Sequence, residues 1–388
     1  MIVCPRCRER FTLDAFCEEI PTRGAEREVT EGALCCGACA AAFPIVAGVP
    51  RLLAPALLAH VRTRHPRFFA KHPQFLAGHD ETDHPLADTL ESFTRQRLDL
   101  ALPGTELAEQ WRRNLQRNLG SALTLEELRG RRILDVGCGF GRHMHVAAEH
   151  GAEVVGIDLS GGVDVVYPGI AGRPNRHVVQ GNIFERPLRD ECFDVVWSFG
   201  VLHHLPDPAA GFRALIEFAR PNGGVVAIWV YGYRGMRFTY RLSHMRALHA
   251  VTRSLSASAR VHASEGVAAL LSALYWEPLH VLRMLGLGAT VDRLPLADYV
   301  AHGWKARVAG VHDRLSTPIT HFHDRDELLE WFRAARLSAV HVEDTDRRGW
   351  RAFGRRASQL ESGVRPDTMA NGFAHHGHGA DKDDAVLQ

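Results

Sequence analysis

Three groups of residues in this 388-residue chain have types and spacings suited to chemistry. The first is Asp135 followed by Gly137, Gly139 and Gly141, with a second carboxylate, Asp158, closing the next apolar run. Alternate glycines let a loop turn tightly and let a ligand approach the backbone. A carboxylate at the end of the following strand can accept hydrogen bonds from both hydroxyls of a ribose. The second group is cysteine. Cys4 with Cys7 and Cys36 with Cys39 form two C-x-x-C pairs, each suited to presenting two thiolates to one tetrahedral Zn²⁺. Cys35 and Cys17 have the wrong spacing and are set aside. The third group can accept a proton: His204 and His321 foremost, with His203, His323 and Tyr231 as alternatives. An oxygen nucleophile would need such a base, whereas a neutral amine would not.

These residues need elements to position them. Residues 133–136 are a short apolar run of the kind a buried parallel strand requires. A helix is predicted over 142–150, with Gly151 at its stop, and a second strand over 153–157 that delivers Asp158 to its end. The G-x-G-x-G spacing, with Arg142 where a late glycine would stand, differs from the G-x-G-x-x-G of a dinucleotide site. An acidic residue before the loop would also repel a pyrophosphate. Residues 161–172 are glycine-rich, so the next helix should be short. Strands are predicted over 177–180, 193–199 and 221–231, with a helix over 206–219 between the last two. The turn 200–204 projects over the carboxyl edge of the sheet, where ligands sit in open α/β folds. Asp324 with Glu327 reads as a capping box for a helix rich in Leu328, Leu329, Trp331 and Phe332, and two last strands follow over 337–342 and 350–353.

Composition bounds the alternatives. Hydrophobic content is 46% and net charge +1, ordinary for a soluble globular protein and no argument for nucleic acid as partner. No apolar leader opens the chain and no apolar stretch is long enough to span a bilayer. With eight cysteines largely in C-x-x-C pairs, a reducing, cytoplasmic setting and metal rather than disulfides are expected. A redox role for the pairs would need a thioredoxin-like βαβ around one of them, which is missing. Residues 1–54 are expected to be a separate, metal-dependent unit, since so short a segment buries too little apolar surface to stand alone. Residues 55–129 read as a helical connector in which Phe93 or Trp111 either walls the site or packs in the core. Residues 232–310 read as a helical insert. Its first part, 232–264, carries Arg234, Arg237, Arg241, Arg246, Arg253 and Arg260 and no acid, which suits either a solvated face or a lid for an anionic acceptor. Residues 311–360 complete the domain, and the tail from 361, with His375, His376 and His378, is expected to be disordered.

The run D-x-G-x-G-x-G at 135–141 followed by V-x-G-x-D at 154–158 resembles the first two motifs of class I S-adenosylmethionine-dependent methyltransferases. That resemblance implies an α/β, Rossmann-like seven-stranded sheet with helices on both faces. It implies a cofactor site built from Asp135, Gly137, Cys138, Gly139, Gly141, Asp158, Leu159, Asn182, Ile183 and Ser198. Asn182 stands where the family usually has an acid that accepts from the adenine amino group, and its side-chain oxygen can still accept. Residues 32–53 (GALCCGACAAAFPIVAGVPRLL) resemble the zinc-ribbon domain of the small protein that activates tRNA and translation-factor methyltransferases. Four thiolates would make that zinc structural, because no coordination position is left open. The acceptor implied is a small molecule, a glycan or a lipid-linked compound, with an anionic one favoured by the arginines. The alternatives are an RNA methyltransferase, gripping RNA with ribbon and insert, and a non-catalytic cofactor-binding partner. Oligomeric state has no signature in the sequence.

Overall fold

The structure, a computed structural model, describes residues 1–21, 26–76, 86–99, 108–232, 252, 255–294, 296–317, 319–345 and 349–357. Of the basic insert, Arg234, Arg237, Arg241, Arg246 and Arg253 lie outside the described residues, as does the histidine-rich tail.

Four strands open the chain: β1 (Phe11–Glu19), β2 (Glu28–Cys36), β3 (Ala42–Val46) and β4 (Val49–Leu52). They pair antiparallel in that order. The β3–β4 turn is Ala47-Gly48, both at positive φ, as a two-residue type I′ hairpin requires. Helices α1 (Pro55–Arg64), α2 (Pro66–Lys71), α3 (Ala87–Asp99) and α4 (Ala108–Leu119) form the connector. The alternating part follows: β5 (Arg132–Val136), α5 (Arg142–Glu149), β6 (Glu153–Asp158), α6 (Val163–Ile170), β7 (Arg176–Gly181), β8 (Val195–Phe199), α7 (Pro208–Phe218) and β9 (Val225–Tyr231). After it come α8 (Ala257–Leu271), a further helical run through Val291, α9 (Trp304–Ser316), α10 (Arg325–Ala334), β10 (Leu337–Asp344) and β11 (Gly349–Arg356).

The sheet order is β1-β2-β3-β4-β7-β6-β5-β8-β9-β11-β10. Its last seven strands are the predicted Rossmann-like sheet, all running in one direction except β11, which is antiparallel to both its neighbours β9 and β10. One apolar layer covers each face. Ile133, Val154, Trp197 and Val225 lie on one side, and Leu134, Ile157, Phe212 and Phe332 on the other. This alternation along strands buried on both faces explains their continuous apolar sequence.

Residues 1–54, read above as a separate unit, instead extend this sheet. Arg51 and Leu52 of β4 pair in parallel with Gln180 and Gly181 of β7. Arg51 is fully buried. It donates to Gln180 Oε1 at 2.8 Å and to the Val46 carbonyl at 3.0 Å, and forms an ion pair with Asp164 of α6. Arg64 Nε reaches the other Asp164 oxygen at 3.0 Å. A buried guanidinium is tolerated only with such partners.

Capping follows the sequence in part. Asp207 Oδ1 accepts from the Ala210 N–H at 2.8 Å, and Asp324 Oδ1 from the Glu327 N–H at 2.9 Å. The return half of the predicted capping box is replaced. Glu327 Oε1 turns to His323 Nδ1, 3.0 Å away.

Candidate active site

A cleft opens at the carboxyl ends of β5, β6 and β7, beside the point where the strand order reverses, the usual ligand position in such sheets. Its floor is Val136, Gly137, Ile157, Asp158 and Leu159, one wall is Asn182, Ile183 and Phe184, and the other runs from Gly200 through His204 to Pro206. Its roof is α3, through Thr89, Leu90, Phe93 and Arg97. Gly137 has φ +75°, and a Cβ there would meet the Val201 side chain at 2.2 Å, so no other residue fits this turn. Of the two aromatic candidates, Phe93 lines the cleft and Trp111 packs into the core beside Phe140.

Asp158 stands at the end of β6 with its carboxylate held on three sides. Oδ2 accepts from the Gly139 N–H at 2.7 Å, and Oδ1 from the Ser160 N–H at 2.7 Å and the Ser160 hydroxyl at 2.6 Å. Its position is thus set before any ligand arrives. Leu159 is fixed by the Gln180 side-chain amide, which donates to its carbonyl at 2.9 Å. Asn182 Oδ1 accepts from the Phe184 N–H at 3.1 Å and caps the short turn Ile183–Glu185. One of its two lone pairs is therefore in use.

Other predicted cofactor residues lie behind the cleft. Asp135 is buried, one of its oxygens has no hydrogen-bond partner, and burial pushes its carboxyl up to about 7. Ser198 donates to the Val136 carbonyl at 3.1 Å, and the Cys138 thiol turns into the core against Met144 and Gly156. Gly139 supports Asp158, and Gly141 begins α5 in the left-handed region.

Of the five base candidates the cleft takes in one, His204. Its Nδ1 lies 2.9 Å from the Ile319 carbonyl. A carbonyl only accepts, so Nδ1 carries the proton and the neutral ring keeps a lone pair on Nε2. Burial lowers the His204 pKa and favours that neutral form. Asp313 of α9 stands with Oδ1 3.9 Å from Nε2, and its Oδ2 accepts from the Tyr231 hydroxyl at 2.6 Å. Burial works to raise the Asp313 carboxyl, but His204, the Tyr231 hydroxyl and Arg314 outweigh it and hold the pKa below its ordinary value. Tyr231 is thereby committed to Asp313. His203 is buried and stacks on Tyr231 at 4.0 Å between ring centroids. His321 pins the His203 carbonyl through its backbone N–H at 2.8 Å, and His323 binds Glu327. Neither of these last two lines the cleft.

Two residues not foreseen bear on the site, one through His204 and one by lining the cleft. Asp313 is one; the other is Arg97, whose guanidinium sits over Phe93 and Phe140 at 6.0 and 5.8 Å. It pairs with no carboxylate among the described residues. Arg97 also lines a second cavity of about 240 Å³ with Arg142, Trp111, Asn114 and Tyr299. Nothing in the spacing of Arg97 or Asp313 distinguishes them from the many other charged residues on helices. At the other end of the sheet, the Sγ atoms of Cys4, Cys7, Cys36 and Cys39 lie within 4.8 Å of one another. Cys4 approaches Cys39 at 3.6 Å and Cys7 approaches Cys36 at 3.4 Å. Zinc–sulfur bonds of ~2.3 Å in a tetrahedron require sulfurs roughly 3.8 Å apart, so the set fits one such ion.

Residues 134–227 match a family model described as a methyltransferase domain. The chain is similar to the ubiquinone biosynthesis O-methyltransferase of Alkalilimnicola ehrlichii, 39% identical over 108 residues, which are 27% of this chain and 44% of that protein. It is also similar to the tRNA U34 carboxymethyltransferase of a Geobacter species, 39% identical over 106 residues, 26% of this chain and 33% of that one. The match thus spans less than half the length of these curated relatives. Among solved structures, an S-adenosylmethionine-dependent methyltransferase from Mesorhizobium loti is 29% identical over 32% of this chain and 54% of its own, with a TM-score of 0.28. Residues 134–227 thus carry a methyltransferase domain, and strands β5 to β9 of the sheet and much of the cleft lie within or beside them.

Proposed function

We propose that the protein transfers the methyl group of S-adenosylmethionine to an oxygen of a small-molecule, glycan or lipid-linked acceptor. The observation that carries this is one cleft shared by the ribose-type carboxylate Asp158 and the open Nε2 of His204. Asp158 takes the ribose hydroxyls, and Ile183 with Asn182 takes the adenine edge. The glycine loop from Gly137 to Gly141, backed by Asp135 and Ser198, faces the amino-acid end, with Arg97 as the cation for its carboxylate. S-adenosylmethionine supplies an electrophilic methyl on a sulfonium. The chain's own residues hold the acceptor in line with it and exclude water, which is chiefly a matter of positioning. His204 Nε2 takes the acceptor's hydroxyl proton as the new C–O bond forms and the C–S bond breaks. The resulting imidazolium is then stabilised by Asp313. Cys4, Cys7, Cys36 and Cys39 hold one structural zinc as a ribbon.

Calorimetric titration with S-adenosylmethionine tests the first claim, since absence of binding would leave a non-catalytic module. Elemental analysis tests the second: about one zinc per chain is expected for a closed four-thiolate site, and none would remove the ribbon assignment.

A further inference from the structure

The second cavity adjoins the cleft across Arg97, which lines both. A cavity of about 150 Å³ takes a benzene ring, so one of about 240 Å³ holds a ring with substituents. Its walls suit such a body. Trp111, Phe140 and Tyr299 line it, and the Trp111 and Phe140 ring centroids are 6.0 Å apart.

Its charge is one-sided. Arg97, Arg142 and His302 line it, and no Asp or Glu among the described residues does. Both guanidiniums sit over the Phe140 ring, 5.8 and 5.9 Å from its centroid. Like Arg97, Arg142 meets no carboxylate at ion-pair distance among the described residues. Burial and the nearby Arg97 bring the Arg142 pKa down to about 10, which leaves it charged at neutral pH. Asp135 pulls the other way, but its own carboxyl is raised to about 7, so it compensates Arg142 only in part. A half-buried cation without a partner is costly unless an anion arrives from outside. Asn114 adds donors. Its Oδ1 faces His143 Nε2 at 2.8 Å, so its amide N–H groups remain for a ligand.

Two helices run from this cavity to His204. On α9, Ala306 and Ala309 line the cavity and Asp313 stands beside the His204 ring. Spacings of three and four residues put all three on one helix face. On α3, Gln96 lines the cavity and Phe93 lines the cleft, with its ring centroid 5.3 Å from that of His204. At 1.5 Å of rise per residue, the two alanines lie roughly 6–10 Å along α9 from Asp313. A molecule of that length joins the cavity to the base.

We propose that this cavity binds the methyl acceptor by a carboxylate on Arg142, with a flat, ring-sized body against the aromatic walls and the methylated hydroxyl roughly 6–10 Å away at His204. With Arg97 given to the cofactor, Arg142 offers one positive charge, which a carboxylate matches. The role of the bound acid as acceptor rests on the methyl-transfer reading; its binding does not.

Calorimetry on the full chain, alone and saturated with S-adenosylhomocysteine, compares phenylacetate with 2-phenylethanol, which has a similar shape without the charge. Phenylacetate is expected to bind about tenfold or more tightly than the alcohol in both conditions. Arg142→Gln should remove that difference. Ala306→Phe, which fills the cavity from a half-exposed position, should weaken phenylacetate by about tenfold or more. Both variants should keep the parent's S-adenosylmethionine affinity within a few-fold, which shows that the fold and the cofactor site survive. The proposal is overturned by absent or equal binding of acid and alcohol, or by phenylacetate affinity that persists in both variants. It is equally overturned if phenylacetate displaces S-adenosylhomocysteine, because the cavity would then belong to the cofactor. A parent chain that takes phenylacetate but no S-adenosylmethionine would instead end the methyl-transfer reading and keep the carboxylate site.

Discussion

The cleft is bracketed by two regions that connect to it differently. On the β7 side, the N-terminal unit meets the domain through a shared sheet and buried charge: Arg51 to Asp164, Arg64 to Asp164, and Arg51 to Gln180, which holds the Leu159 carbonyl. Glu28 adds hydrogen bonds from the Tyr167 hydroxyl at 2.8 Å and the Gly172 N–H at 2.7 Å. On the insert side, α8 and α9 pack their apolar faces together, joined by the Ser264 hydroxyl 3.2 Å from His312 Nδ1, and the buried Arg307 of α9 pairs with Glu277 at 2.6 Å. Their polar contact with the site comes down to Asp313 with Tyr231 and His204. Directional bonds define one geometry, while aliphatic packing tolerates repacking at small cost. The β7 side is therefore templated by bonds that reach the cleft itself, whereas the insert reaches it through one carboxylate, Asp313.

Substitutions can break this contrast. The largest effect should come from Arg51→Met, which leaves Asp164 short of its main buried partner. A loss of about 3–5 kcal/mol is expected, read by urea denaturation, and a loss close to that of an exposed-site change would mean the templated side is no stiffer than the other. His204→Gln tests where the chemistry lies. The turnover number for an oxygen acceptor should fall roughly 10²–10⁴-fold with S-adenosylmethionine affinity within a few-fold, and unchanged turnover would release His204 from its role. Next, Asp158→Ala should weaken cofactor binding by about tenfold or more, the scale of a lost charge-assisted hydrogen bond, as read by calorimetry; an unchanged affinity would move the ribose elsewhere.

The shallowest signal is a pH gradient from Asp135. Its carboxyl is raised by burial from 3.8 to about 7, so between those values the folded state keeps a proton that the unfolded state has lost. Stability should therefore fall as pH rises from about 4 to 7. Asp135→Asn should flatten that slope in denaturation curves taken across the range, and an unaltered slope would assign it to another group.

What could be read in advance separates along the same line. The β5–loop–β6 unit was legible because its determinants are local: an apolar run, three glycines and a terminal carboxylate fall within some thirty residues. The cysteine pairs were legible for the same reason, although the contacts cross over, Cys4 to Cys39 and Cys7 to Cys36. Arg51 was not, because it stands 113 residues from Asp164 and 129 from Gln180, in a chain where arginine is common. Asp313 lies beyond the insert, 82 residues from the Tyr231 that binds it. Glu327 shows the converse failure. Its spacing from Asp324 predicted a capping partner, but a histidine brought alongside by folding competes for the same carboxylate. Of the four base candidates outside the cleft, Tyr231, His321 and His323 are held by main-chain or carboxylate contacts and His203 by stacking on Tyr231, none of which periodicity registers.

The short pairing of β4 with β7 also bears on how the protein tolerates being cut. Removal of residues 1–54 would leave the carboxyl end of β7 as an open edge, with the hydrogen-bonding groups at Gln180 and Gly181 unpaired and the Asp164 carboxylate stripped of Arg51. Open edges recruit other strands. The trimmed domain is therefore expected to self-associate more readily than the full chain.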